Sequence, residues 1–293
     1  MSVHLTDQLV RTLTPGGDIN VVGLVATNLV REATSLRVMS PTAMNALGRT
    51  LMGAVLLGTG MKGDETLQLQ LRGDGPLGEV LAIAESTARV RGTVRHPTAD
   101  VPPRDGHFDV AAGIGEGMLA VVRHHPRWRE PHTGVVALES GEVAKDLARY
   151  LSESEQTPAA VGLAMGLDRD GAVDAAGGFL VRALPGASDE VFAAVDANVH
   201  TLPNAADLVR IGLDANAIVD HLVEGIGSGE RHAALPEFFC PCSRQRALDV
   251  LALLGADEIE EILSDGESQE VCCHFCGEAY RLSSDELHER FAV

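Results

Sequence analysis

Phe239-Cys240-Pro241-Cys242-Ser243-Arg244 and, with thirty residues between Cys242 and it, Cys273-His274-Phe275-Cys276-Gly277 decide how this chain is organised. Two close cysteine pairs joined by a helical hairpin can set four sulfurs at the corners of a tetrahedron. A structural zinc ion prefers that geometry, and four thiolates fill its coordination sphere. Gly277 permits the tight turn that such a knuckle needs. The Cys-x-x-Cys-Gly register selects Cys273 over its neighbour Cys272, with an exchange between the two left open. His274 is not required, because four cysteines already close the site. All five cysteines fall between Cys240 and Cys276, and clustering of this kind in a reducing compartment points to metal or redox chemistry rather than to a disulfide framework.

The texture around this stretch follows from its size. Residues 232–293 form a short, acidic region. Ser243 caps a helix that ends before Gly255, Asp257 with Glu260 starts a second helix ending before Gly266, and a third follows Ser284. Some sixty residues with so few apolar side chains hold together poorly unless a metal staples them. A passive zinc staple is the plain reading. A redox role is the sharper one, because thiolates are what oxidants attack and metal-binding free energy is folding free energy in a module this small. A single residue separates Cys240 from Cys242, which is tight for a disulfide, whereas Cys273 and Cys276 pair more easily.

Upstream, residues 186–231 read as helical. Ser188 or Asp189 caps a helix through Val191, Phe192, Val195 and Val199. Pro203 breaks it, and a second stretch carries Leu208, Ile211, Ile218, Leu222 and Val223. Gly225, Gly227, Ser228 and Gly229 form a joint. Residues 1–185 mix signals. Ser40-Pro41 opens a buried helix through Met44, Leu47, Leu51 and Val55, with Gly48 and Gly53 leaving room for close packing. Leu67–Leu71 alternates as a strand before the turn at Gly73–Pro76, and Arg89–Val94 and Thr133–Leu138 read as further strands. A helix through Val143–Leu151 follows. Val161–Leu167 and Phe179–Leu184 read as strands separated by turns at Asp170-Gly171 and Gly177-Gly178. Strands and helices do not alternate regularly, so the expected class is α+β: a mixed core (1–185), a helical linker (186–231) and a small C-terminal zinc-binding module with four cysteine ligands (232–293).

The formal net charge of −19 weighs against binding nucleic acid or an anionic membrane surface. The longest apolar stretch, around Leu51–Gly58, is interrupted by Arg49 and Lys62 and is too short to cross a bilayer. Asp7 and Arg11 interrupt the apolar residues at the N-terminus, no signal-peptide core is seen, and the expected address is the cytosol. Gly73-x-Gly75-x-x-Gly78 reads as a plain turn. His124, His125 and His132 near Trp128 read as a solvated loop, and Asp168 with Asp170 as a hairpin turn rather than a calcium loop. No Gly-x-Ser-x-Gly or Walker motif is present, so no enzyme is expected. Two rivals stand: an α+β enzyme with a purely structural zinc module, and a zinc-ribbon adaptor.

Phe239–Arg244 together with Val271–Tyr280 resembles the redox module of the 33 kDa chaperonin (HslO) family, and Leu69–Gly78, Ala175–Gly178 and Thr201–Pro203 resemble segments of its core. The likeness covers nearly the whole chain. It implies an ATP-independent holdase that is inactive when reduced, with one Zn2+ on Cys240, Cys242, Cys273 and Cys276. It implies that oxidation releases the zinc and forms Cys240–Cys242 and Cys273–Cys276 disulfides, that the linker then loses structure and captures unfolding client proteins, and that the active form is a homodimer. Phe192, Val195, Leu208, Ile211 and Leu222 are the expected client-binding residues. Their plainer role is helix packing in the resting state. Cys272 is a departure from the family pattern, placed where it could mispair.

Overall fold

The structure, a computed structural model, describes residues 5–291. The chain divides into two compact units, Met1–Phe239 and Cys240–Val293. The expected division put 232–239 with the C-terminal module; in the structure these residues pair with strands of the first unit.

The first unit contains β1 (Gln8–Leu13), β2 (Ile19–Val25), α1 (Thr27–Ser35), α2 (Pro41–Gly58), β3 (Thr66–Gly73), β4 (Glu79–Glu85) and β5 (Arg89–Val94). It continues with α3 (Val110–Ile114), β6 (Gly117–His124), β7 (His132–Ala137), α4 (Val143–Glu153), β8 (Ala159–Leu167) and β9 (Val173–Ala183). It closes with α5 (Asp189–Thr201), α6 (Ala205–Arg210), α7 (Ala215–Leu222), β10 (His232–Ala234) and β11 (Glu237–Phe238). Two sheets result, ordered β10-β1-β2-β9-β8 and β11-β5-β4-β3-β6-β7. The expected α+β class holds.

Helix α2 sets the core. Ser40 accepts the Ala43 N–H, Pro41 sits at the first helical position, and nearly every residue from Thr42 to Gly58 is buried. A helix apolar on all sides must be covered on all sides, and both sheets contribute: Leu67, Leu69, Leu71 and Val80 from one, Leu24 and Leu180 from the other. The second sheet is also covered on its opposite face. Its outward Val10, Val21, Phe179 and Val181 pack under Val195, Leu208, Val209, Ile218 and Leu222 of the three helices α5–α7. That is why β2 is buried at every position, a continuous apolar run without the alternation of a half-exposed strand.

Two glycines seat this cover. A Cβ on Gly23 of β2 would lie 2.5 Å from the Ala215 carbonyl oxygen, and one on Gly177 of β9 would lie 2.8 Å from Val209 Cγ2. The expectation of a turn at Gly177-Gly178 is therefore corrected: both residues lie inside β9, where Gly177 pairs with Val25 and Ala164. Gly177 is glycine because Val209 of α6 packs on it, and Gly178 because the Gly162 carbonyl oxygen of β8 would lie 2.6 Å from a Cβ there, not because the chain turns. The turn at Asp170-Gly171 is present, with Asp168 Oδ1 accepting the Asp170 and Ala172 N–H groups.

The second unit holds α8 (Arg244–Leu251), α9 (Ala256–Asp265), β12 (Gln269–Cys272), β13 (Ala279–Leu282) and α10 (Ser284–Phe291). Ser243 caps α8 through the Arg246 N–H. The start of α9 differs from expectation: Glu258, not Glu260, reaches back, accepting the Gly255 N–H at 3.0 Å. No helix among the described residues is long and apolar enough to cross a membrane.

Candidate metal centre and its helical neighbours

The cysteine centre is built by two short backbone devices in the second unit. Cys240-Pro241-Cys242 precedes the cap of α8. Cys273 to Cys276 form the turn between β12 and β13, closed by Gly277 N–H donating to the Cys273 carbonyl (2.9 Å) and Cys273 N–H donating to the Glu278 carbonyl (2.8 Å). Gly277 has φ of 79°, a left-handed conformation that favours glycine. The four sulfurs lie within 4.8 Å of one another, with Cys240 to Cys273 at 3.5 Å and Cys242 to Cys276 at 3.4 Å. Four thiolates about 2.3 Å from a tetrahedral zinc would be about 3.8 Å apart, so these residues fit a metal ion held by four sulfurs.

Cys272 stands outside the cluster. It is the last residue of β12, exposed, with its sulfur 3.9 Å from Glu270 Oε1. Neighbours on a strand project to opposite faces, so the register that brings Cys273 inward turns Cys272 outward. His274 is exposed and does not join the four.

The environment of the free thiols is uneven. Burial pushes the Cys240 and Cys276 thiols up. Burial acts in the same direction on Cys273, but N–H groups of Cys276 and Phe275 directed at its sulfur outweigh it and bring the thiol down to about 7. The Tyr280 hydroxyl donates to Cys242 Sγ at 3.1 Å, which keeps the phenol protonated. Cysteine spacing does not reveal that partner; its signal is only an aromatic four residues beyond Cys276 on the paired strand. Arg244 grips both oxygens of Glu286 at 2.7 and 2.6 Å, and with Ser283 holds that carboxyl down to about 2, tying α8 to α10.

The apolar content of this unit is small. Among the described residues only Ala247, Leu282 and Leu287 are buried in its hydrophobic cluster. So few side chains, at about 1.5–3 kcal/mol each, leave little to set against the ordering of more than fifty residues at about 1–2 kcal/mol apiece.

The model of the family described as Hsp33 protein matches residues 7–283. The chain belongs to the Hsp33 family. It is 38% identical to a 33 kDa chaperonin of Geobacter sulfurreducens over 97% of this chain and 94% of the relative. It is 35% identical to one of Clostridium botulinum over 97% and 96%. The crystal structure of the 33 kDa chaperonin (heat shock protein 33 homolog) of Thermotoga maritima superposes with a TM-score of 0.90 at 31% identity, covering 98% of both chains. By family this Hsp33 is a chaperone.

The helical residues singled out in the sequence do not share one environment. Val195 and Leu222 are fully buried, Leu208 nearly so, and Phe192 is half-buried against the same cluster. Ile211 is a correction. It was expected to be hidden in the folded state but is 69% exposed, because α6 ends at Arg210 and Gly212, with φ of 91°, turns the chain before α7 begins. The stretch expected to run through Leu208 and Leu222 is thus two helices. Asn198 of α5 holds the second of them, donating to the carbonyls of Leu222 and Glu224 at the end of α7.

Proposed function

We propose that this Hsp33 is a redox-regulated, ATP-independent holdase of the cytoplasm. Reduced, it holds one Zn2+ through Cys240, Cys242, Cys273 and Cys276 and is inactive. The bound ion supplies the cross-link that folds residues 240–293. Oxidation replaces that cross-link. In each disulfide, two cysteine thiolates give up two electrons as one S–S bond forms; hydrogen peroxide accepts them together with two protons from solvent, its O–O bond breaks, and two waters result. Sulfurs joined in disulfides no longer ligate, and the metal-bound fold of the second unit is lost.

The pairing proposed is Cys240 with Cys242 and Cys273 with Cys276. The contacts of 3.5 and 3.4 Å run between the pairs, Cys240 to Cys273 and Cys242 to Cys276, but all four sulfurs are mutual neighbours, so proximity does not choose. Peptide mapping without reduction distinguishes the two patterns.

The proposed activation continues into the helical segment. Loss of structure in 186–231 uncovers Val10, Val21, Phe179 and Val181 on the sheet, together with Phe192, Val195, Leu208 and Leu222 on the helices; Ile211 is already outside. These surfaces hold apolar segments of unfolding proteins, the oxidised chain acts as a homodimer, and the net charge of −19 keeps the assembly soluble. The reading is carried by a four-sulfur centre in a unit whose described residues bury only three apolar side chains: such a unit is folded by its metal and unfolds when its thiols are taken. Treatment with peroxide at raised temperature, with zinc followed by a chromophoric chelator and client aggregation by light scattering, tests it. Zinc release and suppression of aggregation should rise together; retained zinc with no gain in suppression would refute it.

A further inference from the structure

Residues 232–239 form an extended strap bordering both sheets. β10 runs antiparallel to β1, pairing Leu9 with Ala234, Val10 with Ala233 and Arg11 with His232. β11 runs parallel to β5, pairing Glu237 with Arg89 and Phe238 with Val90. Without the strap, β1 and β5 would each end a sheet. An edge strand offers a row of unpaired N–H and C=O groups, a template for any extended chain.

The two ends of the strap are held unequally. At β5, Glu237 and Phe239 donate to the carbonyls of Ala88 and Val90, Arg89 pairs with Glu237 at 2.6 Å, and its guanidinium lies 4.5 Å from the Phe239 ring centre. At β1, all three residues of β10 are exposed, and Leu235 beyond them is 57% exposed. A cavity of about 140 Å3 remains beside the strap, with Leu9, Val55 and Ala234 on its apolar side and the polar Arg11, Glu85 and Ser86 also bordering it. Alanine side chains leave this space unfilled. The Gly229 N–H donates to the Leu13 carbonyl at 2.7 Å, so Leu13, and by strand alternation Arg11 and Leu9, aim their backbone groups at the strap while Val10 and Thr12 aim theirs at β2.

We propose that the outer edge of β1 is a polypeptide-binding site. The strap occupies it at rest. When the strap leaves, an extended segment of an unfolding client adds as an antiparallel strand, and one larger apolar side chain of that segment fills the cavity beside the alanines. Main-chain hydrogen bonds recognise any extended chain, and the cavity adds a preference for an aliphatic or aromatic side chain. The strap itself shows what chemistry the edge accepts. The inference rests on the holdase reading and locates part of its client site.

The test uses the full chain with reduced, carboxymethylated α-lactalbumin as probe. Ala234→Pro removes the strap N–H directed at Leu9 and should loosen the strap in reduced, zinc-loaded protein. The amides of Leu9, Arg11 and Leu13 should lose protection from hydrogen exchange, regain it on adding probe, and the probe should bind roughly tenfold more tightly than to reduced wild type. Arg11→Pro removes an outward N–H of β1 itself, and proline is tolerated where that N–H faces away from the sheet. The oxidised Arg11→Pro chain should bind roughly tenfold more weakly than oxidised Arg11→Ala, a comparison that remains informative if Ala234→Pro fails to fold. A loosened strap without gain in binding, or equal binding by the two Arg11 variants, overturns the inference. So does re-protection of β1 without probe in a dimer seen by sedimentation, which would make a second copy the occupant. Failure of the oxidised wild type to bind the probe refutes the holdase reading instead, and is told apart because Ala234→Pro is measured in the reduced chain.

Discussion

Substituting Gly23 by alanine should open the helical cover without changing one apolar side chain of either surface. The new Cβ would sit 2.5 Å from the Ala215 carbonyl oxygen and 3.1 Å from Val219 Cγ2. To restore even 3.0 Å, α7 must lift off β2 by about 0.5 Å, against packing in which Ile218, Val219 and Leu222 are fully buried. Overpacking of this kind costs about 1–3 kcal/mol. Replacing a strand glycine by alanine returns about 0.5–1 kcal/mol of backbone entropy. The net loss of about 1–2 kcal/mol raises local opening of 186–231 by roughly 5- to 30-fold. Hydrogen exchange read by mass spectrometry on reduced protein should show that increase in peptides spanning 205–222, with zinc stoichiometry unchanged. Client aggregation should be partly suppressed without oxidant. If exchange in 205–222 is unchanged, the steric reasoning is wrong. If exchange rises while reduced protein still fails to hold clients, the cover does not silence the chaperone.

Further outcomes follow from the same contacts. Cys273→Ser should abolish stoichiometric zinc while Cys272→Ser leaves it intact, because only the former sulfur lies in the cluster; zinc titration with a competing chelator decides between them. Leu222→Ala should cost about 2–5 kcal/mol of local stability and Ile211→Ala under about 0.5 kcal/mol, since one is fully buried and the other 69% exposed; denaturant melts and exchange rates check the contrast. Asp7 accepts the Asn28 and Leu29 N–H groups at the start of α1, and burial raises its carboxyl above the ordinary 3.8 despite those bonds. The folded state thus binds the proton more tightly than the unfolded one. Wild type should gain stability relative to Asp7→Asn as pH falls through the raised value, levelling below about 3.8; urea melts across that range should show this sign.

What the sequence disclosed was local, and what it hid depended on distant partners. Ser40-Pro41 before an apolar helix, the alternation of Leu67–Leu71 and the caps at Ser188 and Ser243 are signals contained in a few residues, and each marks the element found there. The Cys-x-x-Cys-Gly register carries its own geometry, since strand alternation separates Cys273 from Cys272. By contrast, Ile19–Val25 shows no alternation because helices cover both of its faces, and Gly177-Gly178 imitates a turn because a helix packed on the first and a strand crowded against the second also demand glycine. The strap at 232–239 shows no apolar alternation and has Pro236 in its middle, and its role depends on two edges more than a hundred residues upstream.

The order in which parts of this chain can open follows from how each is held. The core around α2 is closed by leucine and valine from both sheets, and no single cross-link supports it. The cover α5–α7 contributes one apolar face to a sheet and is otherwise wet: in α5 only Val195 is buried. The second unit has almost no interior and depends on sulfur. In the proposed mechanism an oxidant would therefore act on the part with the smallest apolar core, while the part proposed to carry a client contains no cysteine at all. Cys240 directly follows Phe239, the last residue of the strap, so the chain leaving the cysteine cluster is the same chain that borders both sheets. In the proposed mechanism, sensitivity to oxidation and the capacity to bind would thus fall to separate compact units joined at one peptide bond, so that one could unfold while the other persists.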